Sequence, residues 1–223
     1  GYAVYEGPAA GDTIEIEGIQ PWSHAAPVLY HAVLTLRDAD GVLHEVVPYD
    51  IGFRRFEMIN GVMCLNGERV VFNGVNRHEW NADKGRAIGA DDMHAAMAVF
   101  KKNNINAVRT CHYPDQSLWY DLCDRNGIYM IDETNLESHG SWQKLGAVEP
   151  SWNVPGSLPE WKDCVVDRAR SMFERDKNHA AVLIWSCGNE SYAGEDILAM
   201  SQFFHDHDPG RLVHYEGVFH CRA

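Results

Sequence analysis

Asn189 and Glu190 are the pair of residues in this sequence whose types and position are most suited to chemistry. They follow an apolar run, Ala180 to Trp185, which is typical of a buried strand, and a short stretch of small residues. A carboxylate at the end of a buried strand is costly to desolvate unless it has a partner or a chemical task. Glu190 is therefore the first candidate for a catalytic group. The alternative is an ordinary ion pair or helix cap.

Three other segments carry polar, reactive side chains where a predicted strand ends. His78 and Glu79 follow the first predicted strand, and Arg109 and His112 lie at the end of the second. A third cluster runs from Asp132 to His139. In a (β/α)₈ barrel the active site is built from the C-terminal ends of the strands, so this placement favours one shared site.

The elements that would position these residues alternate along most of the chain. Strands are predicted at 69–75, 106–110, 127–132 and 181–186, with a fifth from Arg211 to Tyr215, and helices at about 91–103, 115–126, 160–177 and 194–207. This alternation predicts parallel strands with helical crossovers. A doubly wound sheet would usually have a glycine-rich phosphate turn after its first strand, and Asn73–Asn76 is no such turn. The predicted fold is α/β, with the first four to five strands of a (β/α)₈ TIM barrel.

Residues 1–56 have a different, β-rich pattern. The partly alternating stretch His31 to Leu36 and the run Val42 to Val47 flank a turn cluster, Asp38–Gly41, which predicts a hairpin. A fragment of a β-sandwich fits this part of the chain.

The composition restricts the partners and the compartment. A net charge of -13 argues against nucleic acid and anionic membrane surfaces, and no apolar run approaches the roughly 18 residues of a membrane span. The six cysteines include no C-x-x-C pair, which favours free thiols in a reducing compartment over disulfides or a structural zinc site. A cytoplasmic location is therefore expected.

Several motifs in this order resemble the β-galactosidases of glycoside hydrolase family two. They are Gly74–Glu79, Asn106–Arg109 with His112–Pro114, Leu118–Tyr120 with Leu122–Asp124, Asp132–Glu133 with Asn135, Glu137 and His139–Gly140, and Trp185–Ser186 with Gly188–Ser191. The resemblance runs from about Ile51 to Glu216. It implies that residues 1–56 are the end of an immunoglobulin-like β-sandwich domain and that 57–223 are the N-terminal half of the catalytic TIM barrel.

The resemblance also implies roles for four residues after the third and fourth strands. Glu190 matches the general acid/base, and Asn189 matches the residue that contacts the 2-hydroxyl of the sugar. Glu137 and His139 match ligands of an active-site Mg²⁺, which Glu190 also contacts. Carboxylates suit Mg²⁺, whereas a His ligand would suit Mn²⁺ as well.

Three more residues acquire expected roles from the resemblance. His78 and His112 match histidines that contact the substrate in the transition state, and Arg109 matches an arginine that positions the catalytic nucleophile. A structural pairing of Arg109 with Asp132 or Glu133 is the alternative. These two acidic residues are otherwise expected to form hydrogen bonds at the mouth of the barrel.

The reaction that the resemblance implies needs a second carboxylate. A retaining glycosidase uses one carboxylic acid to protonate the leaving oxygen and one carboxylate as nucleophile. The family's nucleophile lies after a later strand, and Glu216 matches a different position. We therefore expect a β-galactosidase present here as a fragment that is inactive alone. The alternatives are a non-catalytic carbohydrate-binding or assembly subunit, and a related β-glucuronidase or β-mannosidase. The expected partners are a β-galactoside such as lactose, a C-terminal half, or further copies bound through open barrel edges.

Some aromatic and acidic segments have competing interpretations. Packing between helices and barrel is favoured for Trp119, Tyr120 and Trp161, whereas Trp142 and Trp152, in a long active-face loop from Gly140 to Pro159, are open between packing and sugar stacking. The segment His205–Asp208 has metal-ligand residue types, but a solvated helix end is favoured there because Pro209 follows.

Overall fold

A computed structural model describes residues 3, 5–7, 13–139, 141 and 153–216. The strands in these ranges are β1 (Tyr30–Arg37), β2 (Leu43–Ile51), β3 (Phe56–Ile59), β4 (Val62–Leu65), β5 (Glu68–Arg69), β6 (Gly74–Arg77), β7 (Ala107–Thr110), β8 (Tyr129–Glu133), β9 (Val182–Ser186) and β10 (Leu212–His214). The helices are α1 (Ala90–Lys102), α2 (Ser117–Asn126), α3 (Pro159–Asp176) and α4 (Glu195–His207).

Five of the strands form one parallel sheet that carries the predicted functional residues. The order is β10-β9-β8-β7-β6, and each neighbouring pair is parallel. The helices α1, α2, α3 and α4 connect successive strands, so the chain passes along the sheet in one direction. The predicted α/β fold, the first five strands of a (β/α)₈ barrel, is confirmed.

The helix bounds agree with the prediction within about two residues because their end signals are local. Asp92 accepts a hydrogen bond from the backbone N–H of Gly89 at the start of α1 (2.9 Å). Pro159 occupies the first turn of α3, where its missing N–H costs nothing. Gly127 ends α2 in the left-handed conformation, with φ of 68°.

The first barrel strand lies further along the chain than predicted. The expected strand at 69–75 is wrong: Arg69 ends β5, which pairs with β4, and the barrel strand β6 starts at Gly74. Val70 and Phe72 pack against the core between these strands, so this segment has the apolar residues of a strand without belonging to the parallel sheet. Gly74 has a low strand propensity but fits against Ala107 of β7, where a Cβ would lie 3.2 Å from the Ala107 Cβ.

The N-terminal part contains two small antiparallel sheets. The hairpin of β1 and β2 is present as predicted, and β3, β4 and β5 form a second sheet. Trp22 connects this part to the barrel, because its fully buried indole donates a hydrogen bond to the backbone oxygen of Asp124 (2.7 Å). Arg54 makes a second connection through the backbone oxygens of Ala180 and Val182.

The core lies between the parallel sheet and its helices. Trp185 of β9 is fully buried and stacks on Phe204 of α4, with ring centroids 5.5 Å apart. The five cysteines in the described part of the chain are free thiols, as predicted. No helix in the described ranges has the length and apolar composition that crossing a bilayer requires.

Candidate active site

The predicted site residues lie at the C-terminal ends of four neighbouring strands. His78 follows β6, Arg109 and His112 lie at the end of β7, the segment after β8 carries Glu137 and His139, and the segment after β9 carries Asn189 and Glu190. The segments after β8 and β9 run side by side. Glu137 and Asn189 form an isolated parallel bridge, and the backbone N–H of Asn189 donates to the oxygen of Leu136 (2.8 Å).

Glu137, His139 and Glu190 come together as a cluster of possible metal ligands. Their ligand atoms all lie within 4.8 Å of one another, and they are the one such group of three in the described ranges. The Nδ1 of His139 lies 3.5 Å from a carboxylate oxygen of Glu137 and 3.5 Å from one of Glu190. All three side chains are exposed, so the cluster can exchange a hydrated ion with solvent. Two carboxylates and one imidazole fit Mg²⁺ or Mn²⁺.

The side-chain amide of Asn189 connects this cluster to Arg109. Its Nδ2 donates to Oε1 of Glu137 (2.9 Å), and its Oδ1 accepts from a guanidinium nitrogen of Arg109 (3.0 Å). Because both ends of the amide have partners, the orientation of this buried side chain is fixed.

Glu133 is a central polar residue of the site, although the sequence predicts it only as a hydrogen-bonding group at the barrel mouth. Its side chain is fully buried. Oε2 accepts from Nε of Arg109 (2.7 Å) and from the hydroxyl of Ser186 (2.7 Å), and Oε1 lies 2.6 Å from Nδ1 of His112. Of the two pairings considered for Arg109, Glu133 is therefore the one that forms.

Asp132, the residue before Glu133, does not lie at the barrel mouth. Successive side chains of a strand point to opposite faces, so Asp132 points into the helix layer. There its carboxyl oxygen accepts a hydrogen bond from the hydroxyl of Tyr120 (2.6 Å). Burial and the nearby charge of Asp176 raise the pKa of Asp132 well above its usual range. The expectation of a barrel-mouth role for Asp132 is wrong.

The environment of Glu190 is not the buried strand end that the sequence predicted. Its side chain is 55 % exposed, so the desolvation argument does not apply to it. Glu190 lies four residues beyond the end of β9, and its backbone has φ of 43°, in the left-handed region that side chains other than Gly rarely adopt. A backbone held in this region is typical of functional segments. The acidic residue of the site whose carboxylate is buried is Glu133.

His78 and His112 face each other across the site. Their rings meet edge to face with centroids 5.4 Å apart. Nδ1 of His78 lies 3.3 Å from the hydroxyl of Tyr113. His78 is exposed and His112 is half-buried, so both can reach a ligand in the cleft.

The pKa values of Arg109 and His214 are shifted in opposite directions. Burial opposes the charged form of Arg109, but the adjacent Glu133 outweighs it and raises the pKa of the guanidinium. Burial, together with the positive charge of Arg109, lowers the pKa of His214, whose Nδ1 lies 3.0 Å from the Ser186 hydroxyl. Glu216, considered above as a possible second carboxylate, lies 3.3 Å from Arg109 and is exposed.

A cleft of about 340 Å³ runs from the two histidines past Glu137 to α3. Trp161 lines this cleft and is 38 % exposed, so its predicted packing between helix and barrel is wrong. Trp119 and Tyr120 are fully buried, as predicted. Trp142, Trp152 and most of the loop from Gly140 lie outside the described residues.

The segment His205–Asp208 is a helix end, as predicted. His205 and His207 are exposed, and α4 ends at His207. Asp208 accepts a hydrogen bond from the indole of Trp185 (3.0 Å) and pairs with Arg211. The contacts of Asp208 with Trp185 and Arg211 give this segment a structural role.

Two family descriptions match the chain. "Glycosyl hydrolases family 2, TIM barrel domain" matches residues 56–223, and "Glycosyl hydrolases family 2" matches residues 3–54. Among individual proteins, a β-galactosidase of Clostridium acetobutylicum is 61% identical over 94% of this chain and 23% of its own length. A β-galactosidase large subunit of Lactobacillus acidophilus is 57% identical over 92% of this chain and 33% of its own length. The chain thus spans about a quarter to a third of the length of these relatives.

Solved structures share the fold at lower identity. A β-D-glucuronidase of Dictyoglomus thermophilum superposes with a TM-score of 0.75 at 23% identity, covering 89% of this chain and 34% of that one. A family 2 β-galacturonidase of Eisenbergiella tayi, bound to galacturonate, superposes with a TM-score of 0.75 at 25% identity, covering 91% and 35%.

Proposed function

Because the chain belongs to glycosyl hydrolase family 2, we propose that its protein is a β-galactosidase, a retaining hydrolase of terminal β-D-galactosyl residues. The observation that carries the proposal is the cluster of Glu137, His139 and Glu190 beside the fixed amide of Asn189. A cluster of this kind offers a carboxylic acid, a cation site and a hydrogen-bonding amide at one barrel mouth.

Glu190 acts in this proposal as the general acid/base. Its exposed carboxyl can give a proton to the leaving oxygen and later take one from water, as a retaining mechanism requires. Asn189 binds the 2-hydroxyl, and His78 and His112 contact the sugar as it approaches the transition state. The nucleophile of the reaction is not assigned to any described residue.

Glu137, His139 and Glu190 would hold Mg²⁺ or Mn²⁺, which would supply a fixed positive charge beside the acid/base. We expect the thermal midpoint of the full-length protein to rise with Mg²⁺ because an ion that binds only the folded state stabilises it. Differential scanning fluorimetry with and without chelator measures this rise. It should vanish in Glu137→Gln and persist in Glu195→Gln, whose exposed carboxylate lies outside the cluster. An equal rise in both variants would contradict the site.

The choice of galactoside rests on sequence similarity. Relatives named as β-galactosidases are 61% and 63% identical to this chain, whereas the structural neighbours named as glucuronidases are 23% to 26% identical. Lactose is the natural substrate that this proposal favours. Some relatives are named "large subunit", so this proposal includes a small subunit as the partner of the protein. It also includes a cytoplasmic location, with which free thiols agree.

The experiment compares 4-nitrophenyl β-galactoside with 4-nitrophenyl β-glucuronide on the purified full-length protein, with its partner subunit where one exists. The proposal expects hydrolysis of the galactoside at least about 100-fold faster in kcat/KM, with β-galactose as the first product by NMR. Faster hydrolysis of the glucuronide, or release of α-galactose, would overturn it.

A further inference from the structure

Glu133 differs from the other carboxylates of the site because its side chain is fully buried. We propose that Glu133 is a positioning residue for hydrolysis, which holds the imidazole of His112 and the guanidinium of Arg109 in the orientations that the reaction uses. This inference rests on the proposed function, because it assigns a task within that reaction.

The carboxylate of Glu133 is bound from both neighbouring strands at once. Arg109 and His112 approach from the end of β7, and Ser186 approaches from β9. The backbone N–H of Glu133 also donates to the hydroxyl of Thr110 (2.9 Å). Replacing a buried ion pair by apolar groups of similar volume often leaves a protein equally stable or more stable. A contribution to stability is therefore a weak explanation for these buried contacts.

The contact with His112 determines which ring nitrogen faces the cleft. We assign the proton of this contact to Nδ1 of His112, because the Glu133 carboxylate pairs with the Arg109 guanidinium and a carboxylate acts as acceptor. The other nitrogen, Nε2, is then left for a ligand. The partner of one ring nitrogen commonly sets the role of the other.

The contact with Arg109 extends this control to the sugar-binding amide. Arg109 has two nitrogens near Oε2 of Glu133, at 2.7 Å and 2.6 Å, which fixes the plane of the guanidinium. The same guanidinium donates to Oδ1 of Asn189, whose Nδ2 in turn donates to Glu137. A continuous chain of hydrogen bonds therefore joins Glu133 to the residue proposed to bind the 2-hydroxyl.

The test compares Glu133→Gln with Asp132→Asn in the full-length protein. Gln has the shape of Glu, but one of its two terminal atoms is a donor, so it cannot accept from both Arg109 and His112. Asp132 is the adjacent residue, equally buried, and faces the helix layer, so Asp132→Asn is a matched change of a buried carboxyl away from the cleft. Each variant is assayed well below its own unfolding transition.

We expect Glu133→Gln to lower kcat and kcat/KM by the same factor, about 100-fold, with KM unchanged, because a misplaced group that acts in the transition state has this signature. Asp132→Asn should stay within about threefold of wild type. A rise in KM at constant kcat, or equal losses in the two variants, would overturn the inference.

A double-mutant cycle separates positioning from a general structural defect. If Glu133 acts through His112, then Glu133→Gln should cost less than about tenfold in a His112→Ala background. The same factor in both backgrounds would overturn the inference. Should Glu133→Gln fail to fold, Ser186→Ala removes one hydrogen bond and keeps the carboxylate, and it should lower kcat about fivefold at constant KM. An unchanged kcat would then count against the inference.

The outcomes distinguish this inference from the proposed function. A wild-type protein without galactosidase activity refutes the function, and the role of Glu133 in that reaction falls with it. An active wild type whose Glu133→Gln variant matches Asp132→Asn retains the function and refutes the role of Glu133.

Discussion

At the scale of single residues, burial sorts the acidic side chains of the site into two kinds. Glu133 is fully buried and bound on both oxygens, whereas Glu137 and Glu190 are exposed and close to His139. A bound ion or substrate can reach only the second kind. The sequence singled out Glu190 from the strand that precedes it, but the burial that was expected for Glu190 belongs to Glu133.

Residue types alone could not predict which face of a strand each side chain would occupy. Asp132 and Glu133 have similar chemistry and adjacent positions, yet one faces Tyr120 in the helix layer and the other faces Arg109 in the barrel. A shift of the strand by one residue would exchange these roles. The register with β9, where Glu133 stands opposite Ser186, sets the direction.

His179 gives a prediction about stability and pH. Its Nδ1 lies 2.7 Å from Oδ2 of Asp124, and Oδ1 of Asp124 accepts the backbone N–H of Ala181 (2.8 Å). Burial alone lowers the pKa of His179, but the hydrogen bond and charge of Asp124 outweigh it and raise the pKa above the ordinary 6.5. The folded state therefore binds this proton more tightly, and the stabilisation is complete below pH 6.5 and lost as pH rises through the raised pKa.

We expect His179→Gln to lower the stability by about 2 kcal/mol at acidic pH and by less at alkaline pH, since a hydrogen bond to a charged group has this magnitude. Thermal midpoints at about pH 5.5 and about pH 8.5 measure the difference. His205→Gln is the control because His205 is exposed at the end of α4. A difference that does not change with pH would contradict the ion pair.

At the scale of elements, helix ends and tight turns could be predicted and the first barrel strand could not. The predicted turn cluster Asp38–Gly41 joins β1 to β2, and α2 ends at Gly127 close to its predicted bound, with positive φ at both Gly41 and Gly127. These features depend on a few adjacent residues. The start of β6 depends on its pairing with β7, more than thirty residues away in sequence, so the local residue pattern misplaced it.

Gly188 is the element-scale feature that places Asn189 and Glu190. Its φ is 138°, and a Cβ there would lie 2.7 Å from the backbone oxygen of Leu136. Because Leu136 belongs to the neighbouring strand-end segment, a side chain at 188 would force the two segments apart. The Asn189 N–H bond to that same oxygen (2.8 Å) would be lost.

We expect Gly188→Ala to lower kcat/KM by about 100-fold and the stability by about 1–3 kcal/mol. Gly89→Ala is the matched control, because a Cβ at Gly89 meets nothing within 4 Å. The control should lose under about 1 kcal/mol and no activity. Steady-state kinetics and thermal unfolding measure both effects, and equal behaviour of the two variants would show that Gly188 does not position the site.

At the scale of the whole molecule, the described parallel sheet has two open edges, β6 and β10. Its inner surface is also apolar, and Ala107, Ile131 and Ile184 line a cleft of about 250 Å³ on it. In a closed barrel, further strands pair with both edges and side chains fill the interior. The strand–helix alternation and the polar residues at the strand ends predicted a (β/α)₈ barrel, and the resemblance implied that the chain carries its N-terminal half.

We expect the polypeptide of residues 1–223, prepared alone, to associate through these edges, because unpaired strands are templates for pairing. Sedimentation velocity between about 1 µM and about 100 µM should show growing assemblies, as expected for weak contacts. Val75→Lys, which places a charge on the open edge strand β6, should reduce the association. A monodisperse monomer over the whole range would contradict open edges.

The central claim is that Glu190 is the acid/base of a β-galactosidase, and leaving-group dependence tests it most directly. The measurement is kcat/KM of full-length wild type and Glu190→Gln for galactosides whose leaving groups range from strongly acidic phenols to simple alcohols, with Glu195→Gln as control. An acidic phenol departs without a proton, so we expect little loss for it and a loss of about 100-fold to 10,000-fold for alcohols. An equal loss across the series would contradict the assignment.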